Sequence, residues 1–85
     1  MSRQRSMEKI LASEFVSIGE LVRLTGSRYS TLKFYTEEGM LPFVQEHENL
    51  TRRFPRVEAI AKLNEIKELK QQGLSIPEIK ARMGA

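Results

Sequence analysis

"TGSRYSTLKFYTEEGML", residues Thr25 to Leu41, decides the fold. It opens on Thr25-Gly26, carries hydroxyls, cations and aromatics through its middle, and closes on Gly39 with Pro42 just beyond. A Gly at that end suits the C′ position of a helix, and Pro42 prevents any continuation. The stretch therefore reads as a helix from about Arg28 to Glu38, with Ser27 available as its cap. Tyr29, Leu32 and Tyr35 recur at three-residue spacing and are expected to face inward. Ser30, Lys33, Phe34 and Glu37 are then left facing outward.

Upstream, Ser17-Ile18-Gly19-Glu20 has the spacing of a capping box, in which a Ser oxygen takes the N3 amide while Glu20 reaches back. Ile18, Leu21, Val22 and Leu24 supply an apolar face, and Thr25-Gly26 ends that first helix. Two short helices joined by a Gly-containing turn form a helix-turn-helix. The first holds the second so that the N-terminal side chains of the second reach the floor of a DNA major groove. Arg28 and the hydroxyls at that end can bond base edges or phosphates, and Lys33 can neutralise a phosphate.

Downstream, Leu41–Val44 and Leu50–Phe54 read as two short strands around a polar turn with Glu46, His47 and Glu48. The basic strand Thr51-Arg52-Arg53-Phe54 is what a wing needs to press on a flanking backbone. A longer helix follows from Pro55 to about Gln72, with Val57, Ile60, Leu63, Ile66 and Leu69 as its apolar stripe. Gly73 caps it, and Leu74 is placed to touch Leu69. A second capping box, Ser75-Ile76-Pro77-Glu78, opens a last helix to about Met83. Met7–Ala12 reads as a short helix capped by Ser6, within an N-terminal arm (residues 1–15) lying outside the core. The fold class is mainly α: a winged helix-turn-helix over residues 16–85, with a two-stranded wing and two further helices.

The bulk numbers fit one small domain. The chain has 85 residues, 40% of them hydrophobic and 29% charged, with a net charge of +3. Such an excess is informative only where it gathers on one surface, and Arg52, Arg53 and Arg56 fall close together. No cysteine is present, which excludes a disulfide framework or a thiolate metal site and suits a cytoplasmic setting. No run is long and apolar enough to suggest a membrane span or a secretory leader. His47 sits in an acidic turn without convergent ligands and reads as solvated. The adjacent Glu37 and Glu38 point apart on a helix and cannot work as a catalytic pair. No nucleophile–base set, phosphate-cradling loop or metal cluster stands out, so no enzyme, cofactor or metal is expected.

The motifs, taken together, resemble the N-terminal DNA-binding domain of the MerR family of bacterial transcription regulators. Ile18-Gly19-Glu20-Leu21 matches the family's helix start, and Thr25-Gly26 matches its turn. Thr31-Leu32-Lys33-Phe34-Tyr35-Thr36 stands for its Thr-Leu-Arg-Tyr-Tyr-Glu segment, and Glu37 to Pro42 for its Glu-x-Gly-Leu-Leu-x-Pro ending. Arg52-Arg53-Phe54 is similar to the wing's Arg-x-Tyr, and Gly73 to Ile79 to the closing Gly then Leu-Ser-Ile-x-Glu-Ile.

The resemblance implies roles residue by residue. Lys33 falls at the backbone-contacting basic position, and Arg52 at the wing arginine. Arg28, Ser30 and Thr31 fall at the variable base-reading positions. Phe34 replaces a tyrosine that bonds phosphate, which leaves Tyr35 as the neighbouring hydroxyl. Arg53 completes the candidate DNA-binding set. Leu50 departs from the usual Gly or Asn of the wing. The family binds double-stranded DNA as a homodimer and remodels a promoter spacer for RNA polymerase. Its members continue past the position of Met83 into a coiled-coil helix. The sequence here admits two expectations, an excised domain or a short relative that pairs otherwise, through the arm before Phe15 or not at all. Two other readings accompany this one: an architectural, excisionase-like factor of phage or plasmid type, and a protein-interaction module on the same fold.

Overall fold

A computed structural model describes residues 5–48 and 50–84. In chain order the elements are α1 (Met7–Ala12), β1 (Phe15–Val16), α2 (Ile18–Thr25), α3 (Tyr29–Glu37), β2 (Phe54–Pro55), α4 (Arg56–Gln71) and α5 (Ile76–Met83). The fold is the mainly helical winged helix-turn-helix expected, with one small antiparallel sheet. No helix among the described residues is long and apolar enough to cross a membrane.

Local signals set most helix ends. The Ser17 hydroxyl accepts from the Glu20 amide at 3.1 Å while the Glu20 carboxylate accepts from the Ser17 amide at 2.9 Å, closing the expected capping box of α2. Ser75 and Glu78 repeat the arrangement at α5. Two C-termini close in Schellman fashion on glycines of positive φ. After α3, Gly39 has φ 75° and the Met40 amide donates to the Tyr35 carbonyl. After α4, Gly73 has φ 91° and the Leu74 amide donates to the Leu69 carbonyl. One expected cap is absent: α3 starts a residue late, so Arg28 holds the N-cap position without a side-chain bond. Ser27 instead donates its amide to the Thr25 hydroxyl.

The core is one cluster fed by every helix. Ile10, Val16, Leu21, Leu32, Tyr35, Met40, Leu41, Phe54, Ala59, Leu63, Ile66, Leu69 and Ile79 are buried together. Ile10 is fully buried, which corrects the reading of the first segment as an arm outside the core. Arg5 ties that segment down: its guanidinium donates to both Glu20 oxygens at 2.7 Å and to the Ser13 hydroxyl, while Arg23 donates to the Arg5 carbonyl. Arg56 further secures it through the Ser13 carbonyl.

Two stripe assignments change, for one reason. Spacing by three turns a helical position back by about 60° per step, so a strict triplet leaves the face within a few repeats. On α4 the buried set is Ala59, Leu63, Ile66 and Leu69, spaced as 3.6 residues per turn requires, and Val57 is exposed. On α3 it is Leu32, Tyr35 and Thr36, and Tyr29 is exposed. Buried Thr36 satisfies its hydroxyl on the Leu32 carbonyl at 2.7 Å.

The wing, residues 43–53, also differs from expectation. The pairing of its two arms is a single bridge, Val44 with Arg53, closed by amide-to-carbonyl bonds of 2.7 and 2.9 Å. The regular sheet lies elsewhere: Val16 pairs with Phe54, and Phe15 with Pro55. Pro42 has no amide to extend the ladder. The Gln45 amide takes over part of that task by donating to the carbonyls of Leu50 and Glu48, at 2.6 and 3.2 Å.

Candidate nucleic-acid interface

The outward face of α3 is as the sequence pattern requires. Arg28, Ser30, Lys33 and Phe34 are exposed, and Thr31 is half-buried at the edge of the helix-turn-helix turn. Phe34, 46% exposed, leans on Tyr35 with ring centroids 5.9 Å apart. Tyr35 itself turns inward and is only 6% exposed, as its stripe position predicts, so it is not on the surface shared by the other candidates. With Thr31, Leu63 and Ile66 it lines a cleft between the helix-turn-helix turn and α4.

The wing meets this face at one place. Tyr29 and Lys33 of α3 and Arg52 of the wing line a common open cleft with Ile18, Leu50 and Phe54. Arg52 and Arg53 part company here, because successive side chains of an extended segment leave opposite faces. Arg52 follows Phe54 toward α3. Arg53 lies across the wing, its guanidinium carbon 5.2 Å from the Phe15 ring centroid, beside Val44, Glu46 and Leu50. Tyr29, expected to face inward, is instead exposed and lines the common cleft. Its place at the first turn of α3, a third of a turn from the buried face of Tyr35, was the available signal.

Hydrogen bonding engages some cations and leaves others, Lys9, Lys67, Lys70 and Arg82 included, without a protein partner among the described residues. Arg5, Arg23 and Arg56 are engaged with protein oxygens. Lys80 pairs with Glu38 at 3.0 Å and joins the end of α3 to α5. Among the described residues, Arg28, Lys33, Arg52 and Arg53 have no side-chain hydrogen bond or ion pair to a protein group, so their donors are free for a polyanion. Elsewhere on α2 a carboxylate is tied down by an arginine. There the Arg5 guanidinium, aided by the Ser17 amide, holds the Glu20 carboxyl down to about 2 despite partial desolvation. Among the described residues no group of acids and histidines is arranged to hold a metal ion.

An outward helix face carrying unpaired cations beside a basic wing is the geometry of a helix-turn-helix that meets nucleic acid. Comparison with known proteins agrees. Neither the curated proteins nor the solved structures give a match. The family model described as MerR HTH family regulatory protein matches residues 16–85, most of the chain. The chain therefore belongs to the MerR family of helix-turn-helix, DNA-binding transcription regulators.

Proposed function

We propose that the chain binds double-stranded DNA in a sequence-specific way, with α3 in the major groove and the wing on the flanking backbone. The observation that carries this reading is the common cleft of Lys33 and Arg52, which puts a cation from each element at one edge of the exposed α3 face. Lys33 and Arg52 neutralise phosphates across that edge and fix the register. Arg28 and Ser30, with Thr31 at the margin, read base edges from the first turn, and Phe34 offers an apolar contact of the kind a thymine methyl accepts. Tyr29 adds a hydroxyl beside Lys33. Tyr35 supports Phe34 from within, and Arg53 reaches the backbone only at the outer side of the wing.

Most of the affinity comes from phosphate neutralisation, so it falls steeply with salt. A domain of this size makes a limited interface, and useful specificity calls for two copies on two half-sites. Control of RNA polymerase at a promoter enters by family membership.

The test is selection of bound sequences from a random duplex pool at two salt concentrations. An enriched inverted repeat supports a paired regulator. Enriched direct repeats favour an architectural role instead. Absence of binding even at low salt removes the DNA reading and leaves a protein-interaction module.

A further inference from the structure

Resting on that reading, we propose that Phe43 is a positioning residue for the wing contact: its ring is a platform that holds the Arg52 guanidinium toward the duplex. The Arg52 guanidinium carbon stands 4.9 Å from the Phe43 ring centroid, within cation–π range. The ring is itself anchored. Phe43 packs against Phe54 with centroids 6.1 Å apart, and Phe54 is only 1% exposed. A chain of contacts thus runs from the core, through two rings, to a cation beside Lys33.

The type of contact matters. An ion pair would consume the N–H donors that a phosphate needs and would place a negative charge against the duplex. Stacking occupies only the face of the guanidinium and leaves its five N–H groups free at the edge. A side chain already held in place also has less conformational freedom to lose on binding. The wing has little backbone order to offer, since a single bridge closes it, so the ring does the holding.

The test measures binding of mixed-sequence duplex DNA across a salt series by the intact chain and by Phe43→Leu, Phe43→Tyr, Arg52→Ala and the Phe43→Leu/Arg52→Ala double variant. Thermal unfolding of each is followed in parallel. Leucine keeps the apolar contact to Phe54 but has no ring. The expected result is a loss of about two- to fivefold in affinity for Phe43→Leu, the equivalent of one exposed cation–π contact. Phe43→Tyr should bind as the parent does. Phe43→Leu should cost nothing further once Arg52 is gone, an interdependence that a merely structural role would not produce. Equal losses from Phe43→Leu with and without Arg52, or no loss while Arg52→Ala still weakens binding, overturn the proposal and leave the DNA reading intact. If Arg52→Ala binds like the parent, the wing contact itself is wrong, and the platform falls with it.

Discussion

The helical scaffold and the wing border the same cleft, yet they are held by different means. Both ends of α2 and the C-termini of α3 and α4 are closed within a turn of chain, and side chains from every helix fill the core. In the wing, the described contacts are a backbone bridge, a turn bond from the Leu50 amide to the His47 carbonyl, a glutamine amide, two aromatic–arginine stacks and the Phe43–Phe54 ring pair, and Phe43, Val44 and Leu50 remain exposed. The difference teaches that rigidity is concentrated where α3 must be aimed. The wing, which on the proposed reading follows a DNA backbone, carries little of its own.

The sharpest way to break this contrast is at Phe54, where wing and scaffold meet. Phe54 is 1% exposed, and truncation to Ala should cost about 3–5 kcal/mol through lost burial and the cavity left behind. Against a total of roughly 5–15 kcal/mol for a domain, that is a large fraction. Chemical denaturation should show the midpoint collapsing, and a loss below about 1 kcal/mol would mean that Phe54 does not join the two regions.

Next in size is Gly39, which ends α3 at φ 75° with open space around it. Gly39→Ala should lose about 1–2 kcal/mol through backbone strain alone, since no neighbour blocks the added methyl. Unchanged stability in the same denaturation experiment would show that the α3 terminus can relax. The aim of α3 would then be softer than its closing turn suggests.

A smaller effect, confined to acid, tests whether the N-terminal segment belongs with the scaffold. Arg5 holds the Glu20 carboxyl at about 2, against an ordinary value of 4.5. A carboxylate whose folded value is depressed contributes stability above its unfolded value and loses it as pH falls toward the folded one. The melting temperature should therefore decline between about pH 4.5 and pH 2. Arg5→Met should flatten part of that decline, with the Ser17 amide retaining the rest. Identical acid profiles would place the Arg5 clasp outside the cooperative unit.

What could be read from the sequence follows the same division. Ser17 with Glu20, Ser75 with Glu78, Gly39, and Gly73 with Leu74 were legible because each signal is answered a few residues away. The exposure of Arg28, Ser30, Lys33 and Phe34 followed from them. The pairing of Val16 with Phe54 was not legible, because two residues far apart in the chain carry no local mark of each other. That register also decides which of Arg52 and Arg53 faces α3, so a basic strand read alone presents both alike. A spacing of three, carried too far along a helix, puts Val57 and Tyr29 inward, whereas both are exposed. The burial of Ile10 comes with a clasp from Arg5 that composition does not announce.

The smallest effect on stability tests the wing alone. The Gln45 amide holds the Leu50 carbonyl at 2.6 Å on a surface loop. Gln45→Ala should change global stability by less than about 0.5 kcal/mol, as expected of a surface bond outside the core. Amide exchange should nevertheless quicken from Gln45 to Arg53 while staying slow in α2 and α4. DNA affinity should fall modestly, because Arg52 then starts from a looser loop. A global loss above about 1 kcal/mol, or faster exchange in α2, would show that the wing unfolds together with the helices. Order in the wing would then be a property of the whole domain, and Phe43 would have less holding to do.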